Sequence, residues 1–199
     1  GAGWELTVQA GTHTTGPASA ANGWAVLGAP GAAAQLIGDI NVDVYYTVVN
    51  ERDPHVIAGN LIGLNAAGTG ALGNASTGVL LENGVQFTRI GTNGDGVSDA
   101  AERNVIADSF YHGIEIRSHL TDRNIVAGNY LGTDITGTVD LGNRLDGIAV
   151  WQSAAHNRIG TDGSIDAFNS AEGNLISGNN RYGVFLLNLG TNHNVVAGN

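Results

Sequence analysis

The stretch "NIVAGNYLGTDITGTVDLGN", residues 124–143, nearly repeats the stretch "HVIAGNLIGLNAAGTGALGN", residues 55–74. Aligning residues 55–92 with 124–161 without gaps matches 14 of 38 positions, all at the same offset in the chain. Most of the matched residues are Gly or Asn, which are typical of turns rather than of a core. Backbone geometry is therefore what repeats, and the chain is predicted to have a repeat architecture.

A six-residue motif sets the period of this repeat. It consists of Asn, two aliphatic residues, Ala or Ser, Gly and a final Asn. The motif and its variants begin at His55, Asn104, Asn124, Asn174 and Asn194. Long and short intervals between these starting points alternate, so that two intervals together define a super-repeat of about 70 residues.

A second motif predicts the secondary structure. It is a Gly followed by an aliphatic residue, any residue and another aliphatic residue, and it occurs as GVLL at 78–81, GIEI at 113–116, GIAV at 147–150 and GVFL at 183–186. Such short alternation is typical of brief strands that bury one face. Short strands between Gly and Asn corners favour an all-β fold, a parallel β-helix (solenoid) whose coils stack about 4.8 Å apart.

Asparagines at matching corners are expected to stack as one ladder of hydrogen-bonded amides. The proposed members are Asn104, Asn124, Asn157, Asn174 and Asn194, with His55 and Thr88 as irregular members. Counting by this ladder divides each super-repeat into three coils of about equal length, and we favour that count. Counting by the Gly-aliphatic strands gives two longer coils with loops.

These motifs resemble the right-handed parallel β-helix repeats of large secreted bacterial proteins, a fold shared with pectate lyase-like and alginate epimerase-like proteins. The resemblance covers residues 55–199 and implies a right-handed solenoid with super-repeats at 55–123 and 124–193 and a third starting at 194. It implies a secreted or cell-surface bacterial protein. Because no Met or signal peptide is present, we expect a processed chain or a fragment. Repeats of this kind occur in adhesins and in polysaccharide-active enzymes, so the resemblance implies fold more than activity.

Residues 1–54 differ from the rest, because they contain four predicted strands without the Asn-Gly motif. They are interpreted as an irregular N-terminal β cap or the first irregular coils, with an independent small domain as the alternative.

Composition excludes several classes of partner. The chain carries 18 acidic against 8 basic residues, a net charge of −10, which repels nucleic acid. No apolar run approaches the roughly 18 residues of a membrane span. With no Cys, the chain contains neither disulfides nor thiol chemistry.

The stretch "GTNGDGVSDAAE", residues 91–102, resembles part of a calcium-binding loop. Oxygen ligands are wanted at positions 3, 5, 9 and 12 of such a loop, with Gly at position 6. Counting from Gly91, these positions hold Asn93, Asp95, Asp99 and Glu102, while the Gly at position 1 removes one ligand. We predict modest calcium binding and no obligatory cofactor. An acidic surface loop is the alternative.

The strand "YHGIEIRSH", residues 111–119, offers the weak catalytic candidates Glu115, Arg117 and His119 on its outward face. In β-helix enzymes that act on acidic polysaccharides, an Arg and carboxylates on such a face bind uronates and abstract a proton. A solvated strand face with an ion pair is the simpler interpretation. The equivalent positions on neighbouring strands do not add a cluster of carboxylates.

Trp151 and Tyr182 are candidates for stacking on a sugar. The sequence therefore favours a non-catalytic extracellular scaffold or adhesive segment that binds polysaccharide or other copies of itself through an open C-terminal coil. A lyase or epimerase acting on acidic polysaccharides is the alternative.

Overall fold

The computed structural model of the protein describes residues 55–164 and 167–199. This part of the chain contains thirteen short β-strands and two four-residue helices. In chain order they are β1 Val56–Ile57, β2 Leu61–Ile62, β3 Val79–Leu81, β4 Arg89–Gly91, α1 Asp99–Glu102, β5 Val105–Ile106, β6 Ile114–Arg117, β7 Ile125–Ala127, β8 Tyr130–Leu131, β9 Ile148–Trp151, β10 Arg158–Gly160, α2 Asn169–Glu172, β11 Leu175–Ile176, β12 Val184–Leu186 and β13 Val195–Ala197. The N-terminal cap or first coils predicted for residues 1–54 lie outside the described residues.

The strands form three parallel sheets. Sheet 1 has the order β1-β4-β7-β10-β13, sheet 2 the order β2-β5-β8-β11, and sheet 3 the order β3-β6-β9-β12. The chain visits the three sheets in turn, so each coil adds one strand to each sheet. The predicted all-β parallel solenoid is confirmed, with four coils and the first strand of a fifth. Its right-handed sense stays a prediction.

The coils are longer than the count that the sequence favoured. Successive strands of sheet 1 begin at Val56, Arg89, Ile125, Arg158 and Val195, so each coil takes up half of a super-repeat. Two coils therefore make up each super-repeat. The favoured count of three coils is wrong, and the count based on the Gly-aliphatic strands is right.

The two coils of a super-repeat differ in where they carry their long loop. In the first and third coils, the loop joins sheets 2 and 3 and contains the antiparallel bridges Leu64–Ala71 and Thr133–Asp140. In the second and fourth coils, the loop joins sheets 1 and 2 and contains α1 or α2. The same loop thus recurs only in every second coil, which explains why the period of the sequence spans two coils.

Two separate asparagine ladders run along the corners of sheet 1. In the first, each Nδ2 donates to the Oδ1 of the next member at 2.7 to 3.0 Å; its members are Asn60, Asn104, Asn129, Asn174 and Asn199. In the second, the same bonds of 3.0 and 3.1 Å join Asn124, Asn157 and Asn194. Thr88 is an irregular member of the second ladder, because its backbone N–H donates to Asn124 Oδ1 at 2.9 Å.

The predicted single ladder is therefore wrong, because Asn104 and Asn124 belong to different corners. The six-residue motif has an Asn at each end, and the first ladder alternates between the two ends. Asn104 and Asn174 begin a motif, whereas Asn60, Asn129 and Asn199 end one.

Aliphatic side chains from all three sheets fill the interior. In sheet 3, Ile114 and Ile116 point inward as predicted and are fully buried, and they pair in register with Ile148 and Val150 of the next coil. Burying each such side chain stabilises the fold by about 1.5–3 kcal/mol. Gly91 closes one corner with a φ of +98°, where a Cβ would lie 1.9 Å from the carbonyl oxygen of Ala127. The coils can stack this closely only because that residue lacks a side chain.

In the described part of the chain, neither helix is long and apolar enough to cross a bilayer.

Candidate functional site

The outward face of sheet 3 carries the residues that the sequence singled out for catalysis. Each strand points every second side chain away from the core, and the outward residues are Leu80 and Glu82, Glu115 and Arg117, Ala149 and Trp151, and Phe185 and Leu187. The register places Glu115 between Leu80 and Ala149, with Arg117 opposite Trp151. The equivalences predicted for Leu80, Glu115, Ala149 and Phe185, and for Arg117 and Trp151, are thus confirmed.

Glu115 faces outward but is covered, with 5% of its surface exposed. Its Oε1 accepts hydrogen bonds from the indole Nε1 of Trp151 at 2.8 Å and from Arg117 Nη1 at 3.2 Å. Its Oε2 accepts one from the Thr77 hydroxyl at 3.0 Å. These donors come from three successive coils, so the carboxylate ties the coils together. The simple picture of a solvated strand face is wrong at this position.

Arg117 is held between two carboxylates. Its Nη2 lies 2.7 Å and its Nε 2.8 Å from Glu82 Oε2. Hydrogen bonding to Glu82 is the main cause that raises the pKa of Arg117 above its ordinary value, and burial opposes it. The guanidinium therefore stays charged and paired. His119, the third catalytic candidate, lies exposed in the turn beyond β6.

A groove of about 330 Å³ opens on the same face beside Trp151. It is lined by His112, Leu145, Ala149, Trp151, Arg181, Phe185 and Leu187. This volume falls within the roughly 300–1,000 Å³ of small-molecule sites, and an apolar lining with a few polar groups is typical of them. The groove is therefore the strongest candidate binding site in the described residues.

Tyr182, the second predicted stacking residue, packs beside the groove. Its ring stacks on Phe185 with centroids 5.4 Å apart and planes 8° apart. The guanidinium of Arg181 lies 5.0 Å from the Tyr182 ring centroid and 5.1 Å from that of Phe185. Trp151 and Phe185 thus supply the aromatic surface of the groove, and Tyr182 supports Phe185.

A buried carboxylate holds the histidine that lines the groove. Asp146 is fully buried, and its Oδ2 lies 3.0 Å from Nδ1 of His112. The backbone N–H of Asp146 donates a hydrogen bond to the same Nδ1 at 3.4 Å. The carboxylate and the backbone of one residue therefore both hold the His112 ring in place.

Asp146 also organises the next coil. Its Oδ1 accepts the backbone N–H of Tyr182 at 3.0 Å and lies 3.8 Å from Nε of Arg181. Sequence reasoning missed His112, Asp146 and Arg181. A usable signal was present, since His112, Asp146 and Tyr182 each immediately precede the Gly of the second motif and therefore occupy one corner on successive coils.

The predicted calcium loop uses its oxygens within the protein. Glu102 Oε2 accepts hydrogen bonds from Arg89 Nη1 and from the backbone N–H of Asn93, both at 3.0 Å. Asp99 accepts from the Thr92 hydroxyl at 2.6 Å and from the backbone N–H of Gly96 at 3.1 Å.

Asp95 accepts the backbone N–H of Val97 at 2.7 Å and the Asn93 side-chain amide at 2.9 Å. These bonds lower the pKa of Asp95. Two of these contacts recur two coils later, where Arg158 Nη1 lies 3.0 Å from Glu172 Oε1, and Glu172 also accepts the backbone N–H of Asp162 at 2.9 Å.

In both loops an arginine of sheet 1 therefore pairs with the glutamate at the end of the short helix, Arg89 with Glu102 and Arg158 with Glu172. In the part of the chain that the structure describes, no three His, Asp or Glu side chains are grouped to hold a metal ion. Calcium binding by Asn93, Asp95, Asp99 and Glu102 stays a prediction, and it would require a rearrangement of the Arg89–Glu102 pair.

Comparisons of this chain with protein-family models, with curated proteins and with solved structures found no match.

Proposed function

We propose that the solenoid of residues 55–199 is a non-catalytic scaffold or adhesive segment of a secreted or cell-surface bacterial protein, and that it holds a glycan in the groove beside Trp151. The observation that carries the proposal is the environment of Glu115. Its carboxylate already accepts three hydrogen bonds from three coils. A side chain whose acceptor sites are engaged in this way is poorly placed to take a proton from a substrate.

The lining of the groove supports a sugar as the ligand. A sugar ring presents a face of C–H groups that packs on aromatic rings, and Trp151 and Phe185 offer such rings. Its hydroxyl groups need fixed polar partners. His112, held by buried Asp146, and Arg181 are polar side chains in the lining.

Affinity electrophoresis in native gels that contain a polysaccharide tests binding. We expect retardation of the wild-type chain by at least one polysaccharide and loss of retardation in Phe185→Ala. This variant removes an aromatic surface and leaves the hydrogen bonds of Glu115 in place. Phe87→Ala is the matched control, since Phe87 is a part-exposed aromatic on the corner before sheet 1. Equal retardation of all three proteins would contradict the proposed site.

One observation favours the alternative, a lyase or epimerase. His112 is oriented by a buried carboxylate and borders a groove, which is an arrangement that general bases share. Incubation with alginate, pectate and glucuronan separates the two functions. The ultraviolet absorbance of an unsaturated product reports a lyase, and proton NMR of the polymer reports an epimerase. Turnover that is abolished by His112→Ala or Arg117→Ala would overturn the scaffold proposal.

A further inference from the structure

The groove is surrounded by more carboxylates than cations. Three carboxylates lie in or behind this face, those of Glu82, Glu115 and Asp146, against the two cations Arg117 and Arg181. These five groups, counted without His112, carry one net negative charge. Two of the carboxylates, Glu115 and Asp146, have exposed fractions of 5% and 0%. Water therefore screens them poorly.

Both cations of this set already contact carboxylates of the same face. Arg117 contacts Glu82 and Glu115. Arg181 lies 3.8 Å from Asp146 Oδ1 and packs over the rings of Tyr182 and Phe185, and 42% of its side chain is exposed. A carboxylate entering the groove would lose water and approach two buried negative charges. Among the described residues that line the groove, Arg181 is the one arginine, and it already lies beside the buried carboxylate of Asp146.

A neutral sugar meets no such penalty. Its C–H face packs on Phe185 and Trp151, and one of its hydroxyl groups can form a hydrogen bond with Nε2 of His112. We infer that the groove takes a neutral sugar unit and rejects the uronate of the same stereochemistry, an inference that rests on the proposed glycan-binding function. The net charge of −10 acts in the same direction, because it repels polyanionic glycans over longer distances.

Isothermal titration calorimetry with matched ligands tests this selectivity on the whole chain. The probes are β-linked oligomers of glucose, mannose and galactose, each paired with the oligomer of the same length and linkage in which the primary alcohol is oxidised to a carboxylate. We expect a neutral member to bind at least about tenfold more tightly than its acidic partner, which is about 1.4 kcal/mol. Tighter binding of an acidic member would overturn the inference and leave the glycan-binding function standing. Binding of neither member of any pair would overturn both.

Glu82→Gln tests the electrostatic cause separately. Gln keeps the shape of Glu82 and can still accept a hydrogen bond from Arg117, but it removes one negative charge from this face and leaves the contact between His112 and Asp146 in place. We expect affinity for the acidic member to rise by about two- to fivefold, while affinity for the neutral member changes little. Far-UV circular dichroism and the melting temperature confirm that the variant is folded. An unchanged ratio of affinities in a folded variant would show that the charges of this face do not set the selectivity.

Discussion

Truncating one buried ladder asparagine should destabilise the solenoid far more than truncating an exposed one. Asn129 is fully buried, and its Oδ1 accepts from the backbone N–H and the side-chain amide of Asn104 at 3.3 and 2.9 Å. Its Nδ2 donates to Asn174 Oδ1 at 3.0 Å. Asn129→Ala removes these bonds and leaves the backbone N–H of Asn104, itself fully buried, without its acceptor.

The magnitude follows from these contacts. An orphaned buried N–H costs roughly 1–3 kcal/mol, and the two side-chain bonds to Asn104 and Asn174 contribute roughly 0.5–1.5 kcal/mol each. The free energy of unfolding should therefore fall by about 2–6 kcal/mol. Asn60→Ala is the matched control. Asn60 is exposed, and Asn104 Oδ1 still accepts the backbone N–H of residue 60, so we expect a loss of at most about 1 kcal/mol.

Urea denaturation followed by far-UV circular dichroism measures both variants against the wild-type chain. Asn129→Asp adds a second comparison, because it keeps the shape of Asn but presents an acceptor to Asn174 Oδ1 and to the carbonyl oxygen of Ile90. We expect it to be at least as destabilising as Asn129→Ala near neutral pH. If Asn129→Ala unfolds at the same urea concentration as Asn60→Ala, the buried ladder does not stabilise the fold in this way.

Three further predictions concern the loop of residues 91–102. Arg89→Gln should lower the free energy of unfolding by about 1–3 kcal/mol, because it leaves the partly buried carboxylate of Glu102 without its charged donor; an unchanged urea midpoint would refute this. If the loop binds calcium, the melting temperature must be higher in millimolar calcium than in EDTA, since a ligand of the folded state stabilises it by mass action, and equal values would exclude a functional site. The pKa of Asp95 is lowered by hydrogen bonds from Val97 and Asn93, so its carboxylate stabilises the fold above the ordinary Asp pKa, and this contribution is lost as pH falls through the lowered value. Asp95→Asn should therefore show a smaller loss of melting temperature than wild type on acidification, and identical acid profiles would contradict this.

The fold class could be predicted because the residues that determine the local backbone conformation are visible in the sequence. Gly at tight corners, Asn at ladder positions and alternating aliphatic residues each determine a conformation over a few residues. The number of coils could not be predicted from such local features. Asn104 and Asn124 begin similar motifs in close succession, yet one belongs to the corner between sheets 1 and 2 and the other to the corner before sheet 1. Only the pairing of strands across coils distinguishes these positions, and that pairing is a long-range property.

Only part of the candidate site could be predicted, because the rest also depends on contacts between coils. Strand alternation placed Glu115, Arg117 and Trp151 on one face correctly. It could not show that the Trp151 indole reaches across to Glu115, because that contact depends on side-chain packing between coils. His112 and Asp146 were missed because they lie at a corner outside the strands, where sequence alternation carries no information.

One NMR titration of the whole chain, with a neutral oligosaccharide that binds and with its acidic counterpart, tests whether the groove holds a glycan without turning it over. Trp151 supplies a specific probe, because its indole N–H donates to Glu115 at the edge of the groove and its resonance can be assigned with Trp151→Phe. We predict that the neutral ligand shifts this resonance and leaves the amides of residues 92–102 unchanged, while the proton spectra of both oligosaccharides stay constant over long incubation. Shifts confined to other surfaces, or new resonances from an unsaturated or epimerised sugar, would contradict a non-catalytic scaffold that holds a glycan at Trp151.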